Sequence, residues 1–283
     1  MERLEKNQGT HVLFGYDGTA ENDAALRWAV EEARLRGLEL ILCHCWHWPY
    51  PEGHTDPHGE AVMKRAGQNL LEQGVQRAKE LGAPGTVHTL LMRGPVPRAL
   101  LQASGRADVV VIGARERLDE GATALELPAR ADRPVIVVRD GTGPRRVVAG
   151  ADGSAWCDAA LGFAMGEAAM RDWDVHVVYG CWEPAAVDEY ELSLFTDREL
   201  LEKTRAAELE EAVGPWRERY PKLDIEVSLL LERPAEALRS AAGDAGLLVL
   251  GDRAAATGGL GSTSSRMLRD ARCAVAIVPS CPR

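Results

Sequence analysis

The sequence predicts an α/β protein made of two tandem, doubly wound parallel sheets of five strands each. Three observations predict it. The 283 residues fit two domains of about 100–200 residues each. A set of short motifs recurs in the same order at a nearly constant offset. Within each copy, short apolar runs alternate with amphipathic stretches, the pattern of a parallel sheet covered on both faces.

The repeat sets the boundaries. His11-Val-Leu-Phe-Gly-Tyr-Asp17-Gly18-Thr19 returns as Arg146-Val-Val-Ala-Gly-Ala-Asp152-Gly153-Ser154, 135 positions later at the aspartate. Ala24-Ala-Leu26-Arg-Trp28 matches Ala159-Ala-Leu161-Gly-Phe163 at the same offset. Cys45-Trp46 aligns with Cys181-Trp182 at 136, and Pro97-Arg-Ala-Leu100 with Ala235-Glu-Ala-Leu238 at 138. Val109–Arg115 aligns with Leu247–Arg253 at 138, and Pro134–Val138 with Ala274–Val278 at 140. Ordered matches with so little drift predict a duplicated unit. The domains are expected over residues 9–140 and 145–283, divided in the turn-rich Asp140-Gly-Thr-Gly-Pro144.

In the first copy the strands are expected near Val12–Tyr16, Leu38–Cys45, Thr86–Met92, Val109–Gly113 and Val135–Val138. The first helix, Asn22–Leu35, carries Leu26, Ala29, Val30 and Ala33 at helical spacing and stops at Gly37. A second, Glu60–Leu81, turns Val62, Leu70, Leu71, Val75 and Ala78 inward, and a third begins at Val96 or Pro97. The second copy repeats this with strands near Val147–Gly150, Val175–Cys181, Ile225–Leu231, Leu247–Gly251 and Val275–Val278. Its helices are expected over Ala155–Met170, Asp197–Arg219, Ala235–Ala242 and Ser262–Ala271. Such sheets bind ligands beyond the C-terminal strand ends, at the switch point. The last strands, Pro134–Val138 and Cys273–Val278, would be exposed apolar edges, so they are expected to pack together.

Hydrophobic residues make up 46% and charged residues 27%, a soluble globular composition. A net charge of −10 argues against a nucleic-acid partner, which calls for a basic face. It leaves room for a small phosphate ligand, which oriented backbone N–H groups can hold. The six cysteines have no disulfide-framework spacing. The first ten residues lack the apolar core of a secretory signal, and no apolar run approaches membrane-helix length. A cytoplasmic protein with no membrane partner is expected.

Three features of the second copy fall at C-terminal strand ends. Asp152 ends its first strand and Cys181-Trp182 its second. The fourth leads through Gly251-Asp-Arg-Ala-Ala-Ala-Thr-Gly258-Gly259-Leu-Gly261 into Ser262, Thr263 and Ser264 at a helix start. Glycines admit close backbone approach and positive φ. The helix start offers free N–H groups and the positive end of its dipole, and the hydroxyls add donors. Asp152 could equally cap the following helix, and the loop could be an ordinary turn.

On these residues both halves resemble the universal stress protein domain, and nearly the whole chain resembles a tandem universal stress protein. The resemblance implies an adenine-nucleotide α-hydrolase-like, Rossmann-like fold and a stress-response regulatory role. It implies a ligand of ATP or a related adenine nucleotide, alone or with Mg2+. Carried over, the binding residues are Asp152, Cys181 at the adenine position, Gly251, Gly258, Gly259, Gly261, Ser262, Thr263 and Ser264. Ala254 departs from the family's second loop glycine, and only residues 255–260 separate it from Gly261, where the family has nine. A homodimer giving a four-domain assembly is also implied.

The first copy departs further. Gly121-Ala122 stands at the Gly-Ser position, Glu116 replaces the second glycine, Asp119 and Glu120 crowd the loop, and Pro128 interrupts the last helix. This half is expected not to bind nucleotide, and Asp17 to act as a cap. Cys43 and Cys45 share one strand face while His44 takes the other. His47 follows, and His54 and His58 sit in a Pro/Gly-rich loop, so no metal site is assigned. Trp46 and Trp182 are expected to flank the two sites. There is no Gly-x-Ser-x-Gly elbow and no Walker loop, and no catalytic residue is assigned. Asp152 and Asp252 are the candidates for a base in slow ATP hydrolysis. The alternative is an interaction protein of the same fold that binds no nucleotide.

Overall fold

Runs of Val, Ile and Leu form the strands, and glycine or short polar turns end the helices between them. The computed structural model describes residues 10–50, 56–114, 122–139, 143–152, 157–181, 198–252 and 259–279. The chain divides into two units, Met1–Asp140 and Gly141–Arg283.

In the first unit, strands β1 (His11–Gly15), β2 (Glu39–Trp46), β3 (Val87–Arg93), β4 (Ala107–Gly113) and β5 (Val135–Val138) alternate with helices α1 (Asp23–Arg36), α2 (Pro57–Glu80), α3 (Val96–Ala103) and α4 (Thr123–Glu126). The strands lie in the order β3-β2-β1-β4-β5, and each neighbouring pair is parallel. Val12, Leu13, Phe14, Leu40, Leu42 and Val109–Val111 are fully buried, as strands covered on both faces require. α1 ends at Gly37, whose φ of 66° lets its N–H close the last turn on Ala33.

The second unit repeats the plan. Strands β6 (Arg146–Gly150), β7 (Asp174–Gly180), β8 (Ile225–Leu230), β9 (Leu247–Asp252) and β10 (Ala274–Pro279) alternate with α5 (Asp158–Arg171), α6 (Arg198–Arg219), α7 (Pro234–Ala241) and α8 (Ser262–Asp270). The order is β8-β7-β6-β9-β10, again parallel at each pair. α5 stops at Asp172, which takes the left-handed conformation with φ 55°, one of the few L-residues that do so readily.

The repeat extends to a buried charge. Glu32 of α1 is fully buried and accepts from Trp28 Nε1 at 2.9 Å and Arg36 Nε at 2.8 Å. Glu167, 135 positions on, is equally buried and accepts from Arg171 Nε at 3.2 Å. Removing one partner from such a pair strands a buried charge.

Element ends differ from the sequence expectation by up to three residues, as frayed ends do. Two differences have structural causes. Val62 is 55% exposed, not inward. α2 meets the sheet along Gly67, Leu71, Gly74 and Ala78. A Cβ on Gly67 would meet Leu91 and His44, and one on Gly74 the Tyr16 ring, so the two glycines set the approach. Second, the pairing registers Gly15 with Cys43 and Gly150 with Val178. Trp46 therefore corresponds to Cys181, and Cys45 to Gly180. The 136 offset slips by one residue. Trp46 belongs to β2 itself, and Trp182 lies outside the described residues. Among the described residues no helix is long and apolar enough to cross a membrane.

Candidate functional site

In the second unit the chain runs from β6 outward through β7 to β8, then crosses to β9 and β10. The strand order therefore reverses between β6 and β9, the place where open α/β sheets hold ligands at the C-terminal strand ends. Asp152, Cys181 and Gly251 all lie at that edge. Asp152 is half-buried two residues beyond β6, after Ala151, whose N–H donates to Val178 O at 2.9 Å. Cys181 directly follows β7, its N–H donating to Leu230 O at 3.0 Å. Gly251 precedes Asp252 at the end of β9, and Asp252 is buried, 3% exposed.

The loop from β9 delivers the chain to α8. Gly261 is its N-cap, in extended conformation, with no side-chain cap and no acidic residue in the first turn. Ser265 N–H donates to Gly261 O at 2.9 Å. The N–H groups of Ser262, Thr263 and Ser264 precede that first helical bond, at the positive end of the dipole. Gly259 and Gly261 do not use positive φ, contrary to the reading from their residue type. A Cβ on either would meet nothing, so they contribute open room instead. Nor do the three hydroxyls converge. Successive helical residues point about 100° apart, so Ser262 is exposed, Thr263 intermediate and Ser264 buried. Gly258, with Gly153, Ser154 and Ala254, lies outside the described residues.

The β7 end carries a cation to which the sequence analysis assigned no role. Leu201, Leu209 and Val213 form the buried stripe of α6. Arg205 lies in the same stripe, its Nη1 donating to Glu208 at 2.9 Å. Burial pushes the Tyr179 hydroxyl up to about 12, with Arg205, Glu208, Cys181 and Asp152 all close enough to act on it. Burial also pushes the Cys181 thiol up, and Arg205 opposes that. Asp152, Cys181 and Arg205 thus all act electrostatically on Tyr179. An arginine at four-residue spacing between two leucines was the signal available in the sequence. Cys157, at the head of α5, was also missed. Burial raises its thiol pKa, the Asp152 carboxylate adds to this, and a hydrogen bond with Asp152 backbone opposes it.

The equivalent edge of the first unit is filled by its own side chains. Asp17 Oδ1 accepts from Thr19 N–H at 2.9 Å, Thr19 Oγ1 at 2.8 Å and Asn22 Nδ2 at 3.0 Å. The carboxylate closes the loop turn; it does not cap α1 directly. Leu70 of α2 sits where a Cβ on Gly18 would go. Trp46, the counterpart of Cys181, is 4% exposed, with Arg93 Cζ 5.3 Å and Lys64 Nζ 5.8 Å from its ring centre. α4 has four residues where α8 has nine, and stops before Pro128. Glu116, Asp119, Glu120 and Gly121 lie outside the described residues. Among the described residues no three His, Cys, Asp or Glu converge on a metal position. His44 Nδ1 is 2.9 Å from Tyr16 O, His58 is exposed, and His54 is outside the described residues.

The model of the universal stress protein family matches residues 9–139 and 143–279. A universal stress protein of Mycolicibacterium smegmatis is 32% identical over 297 aligned positions, covering 94% of this chain and 96% of its own length. Another, from Mycobacterium tuberculosis, is 29% identical over 300 positions, with 98% and 99% covered. The crystal structure of a universal stress protein from Archaeoglobus fulgidus shares the fold with a TM-score of 0.72 at 16% identity, 97% of each chain being covered.

Proposed function

The chain belongs to the universal stress protein family, and from that premise we propose that it is a stress-response regulatory protein whose second unit binds an adenine nucleotide, ATP alone or with Mg2+. The phosphates lie against the start of α8, held by backbone N–H groups of Ser262, Thr263 and Ser264, with open room at Gly259 and Gly261 and with Gly251 and Gly258 as the other glycines of the binding loop. Asp152 faces the ribose and its ion, and the backbone at Cys181 meets the base. The observation that carries this reading is the uncapped, acid-free start of α8 beside two glycines with open space around them. Such a helix start attracts anions whatever the net charge. Arg205 places a cation beside Cys181, suited to an electron-rich base edge or an anionic group.

Calorimetric titration of the nucleotide-stripped protein with Mg-ATP tests the assignment. One site per chain is expected, lost in Gly261→Asp, where a carboxylate would oppose the phosphates at short range. Arg205→Leu is expected to weaken binding several-fold.

One observation favours a second reading, an interaction protein of the same fold that binds no nucleotide. Asp252 buries a carboxylate at the head of the loop, a setting unfavourable to phosphate. Absence of heat, together with an unchanged melting temperature under Mg-ATP, would select it.

A further inference from the structure

The sulfur side chains of the first unit gather in a place the nucleotide reading does not use. Cys43 and Cys45 are two residues apart on β2, so both leave the same face of the sheet. Met92 of β3 is registered with Cys45, and registered residues of parallel strands share a face. The opposite face is accounted for: His44 and its register partner Leu91 point to α2, where a Cβ on Gly67 would meet both. The two cysteines are free thiols, Cys43 buried and Cys45 half-buried. The two thiols lie within hydrogen-bond contact of each other. In the second unit the registered positions are Val178, Gly180 and Leu230. All three sulfurs are absent there together, so the set is not part of what the repeated fold requires.

We propose that Cys43, Cys45 and Met92 form a binding site for a soft monovalent cation, Cu(I), with two thiolates and one thioether as ligands. A disulfide does not suit this pair. Alternate strand residues lie about 6.6 Å apart at Cα with parallel Cβ directions, at the limit of what a bridge spans. A metal suits it better, because two bonds of about 2.3 Å allow sulfurs to stand up to about 4.6 Å apart, a span that includes thiols in hydrogen-bond contact. Thiolate and thioether select Cu(I) over hard cations. On binding, the two S–H bonds break and both protons pass to solvent, so affinity rises with pH. The half-buried Cys45 is the point of entry.

The test is anaerobic titration of the reduced, metal-stripped full chain with Cu(I) held by a chromophoric chelator. One ion per chain should be withdrawn, and X-ray absorption should show three sulfurs at about 2.3 Å. Cys45→Ala should abolish retention. Met92→Leu, which installs the side chain found at the matching place in the second unit, should preserve the fold and weaken binding by at least tenfold. Circular dichroism matching the parent confirms that both variants are folded. An ion never withdrawn from the chelator overturns the site. So does retention indifferent to Cys45→Ala, or a Met92→Leu variant as tight as the parent.

Discussion

Arg77 and Asp23 show what a single pair contributes. Arg77 Nε and Nη2 meet the two Asp23 oxygens at 2.8 and 3.1 Å, joining α2 to the start of α1. The hydrogen bond from Arg77, with help from Arg27, holds the Asp23 carboxyl below its ordinary value of 3.8. A depressed folded-state value means that the stabilisation is complete above the unfolded value and is lost as pH falls through the folded one. Arg77→Gln should therefore be less stable than the parent at neutral pH, with the gap closing below pH 3.8. Denaturant midpoints measured across that range check it; a gap that persists in acid would point to lost packing instead. Little of this was legible beforehand, because the pair spans 54 positions. Arg205 was legible in principle, since its place in the leucine stripe of α6 could be counted. Its proximity to Tyr179 could not, because that depends on how α6 lies on the sheet.

Glycines in helices show what elements need from each other. Gly162 and Gly166 are one turn apart on α5. A Cβ on Gly162 would stand 2.6 Å from Trp216 Cη2 of α6, whereas one on Gly166 would meet nothing. Trp216 is held in place, its Nε1 donating to Asp158 Oδ1 at 3.1 Å. Gly166→Ala should raise stability by about 0.5–1 kcal/mol through helix propensity. Gly162→Ala should forfeit that gain and destabilise by about 1 kcal/mol or more through overpacking. Thermal denaturation of the two variants separates the effects, and equal shifts would mean that the indole moves aside at no cost. The helices themselves were legible from periodicity. On α2, Leu71 and Ala78 were legible as inward, but Gly67 and Gly74 were not, because they carry no hydropathy signal. Val62 was read into the stripe in their place.

For the whole chain, a ligand bound only by the folded second unit raises stability by about 2.7 kcal/mol at a hundredfold excess over its dissociation constant. Mg-ATP should therefore raise the melting temperature of the parent and leave Gly261→Asp unmoved. An equal rise in both would place the site away from α8. The homodimer that the family resemblance implies should sediment at twice the 30.7 kDa chain mass; a single-chain mass would remove it. The sequence by itself determined the alternation of strand and helix, the duplication, and the candidate loop before α8. Those are local or periodic properties, carried by hydrophobic spacing and by motifs repeated 135 to 140 positions apart. The tertiary structure alone decided which side chains meet. A one-residue slip in register turns a strand's side chains to the other face, and register is set by hydrogen bonds between distant strands. That is why Trp46, and not Cys45, stands where the second unit has Cys181, and why Met92 comes to lie beside Cys45.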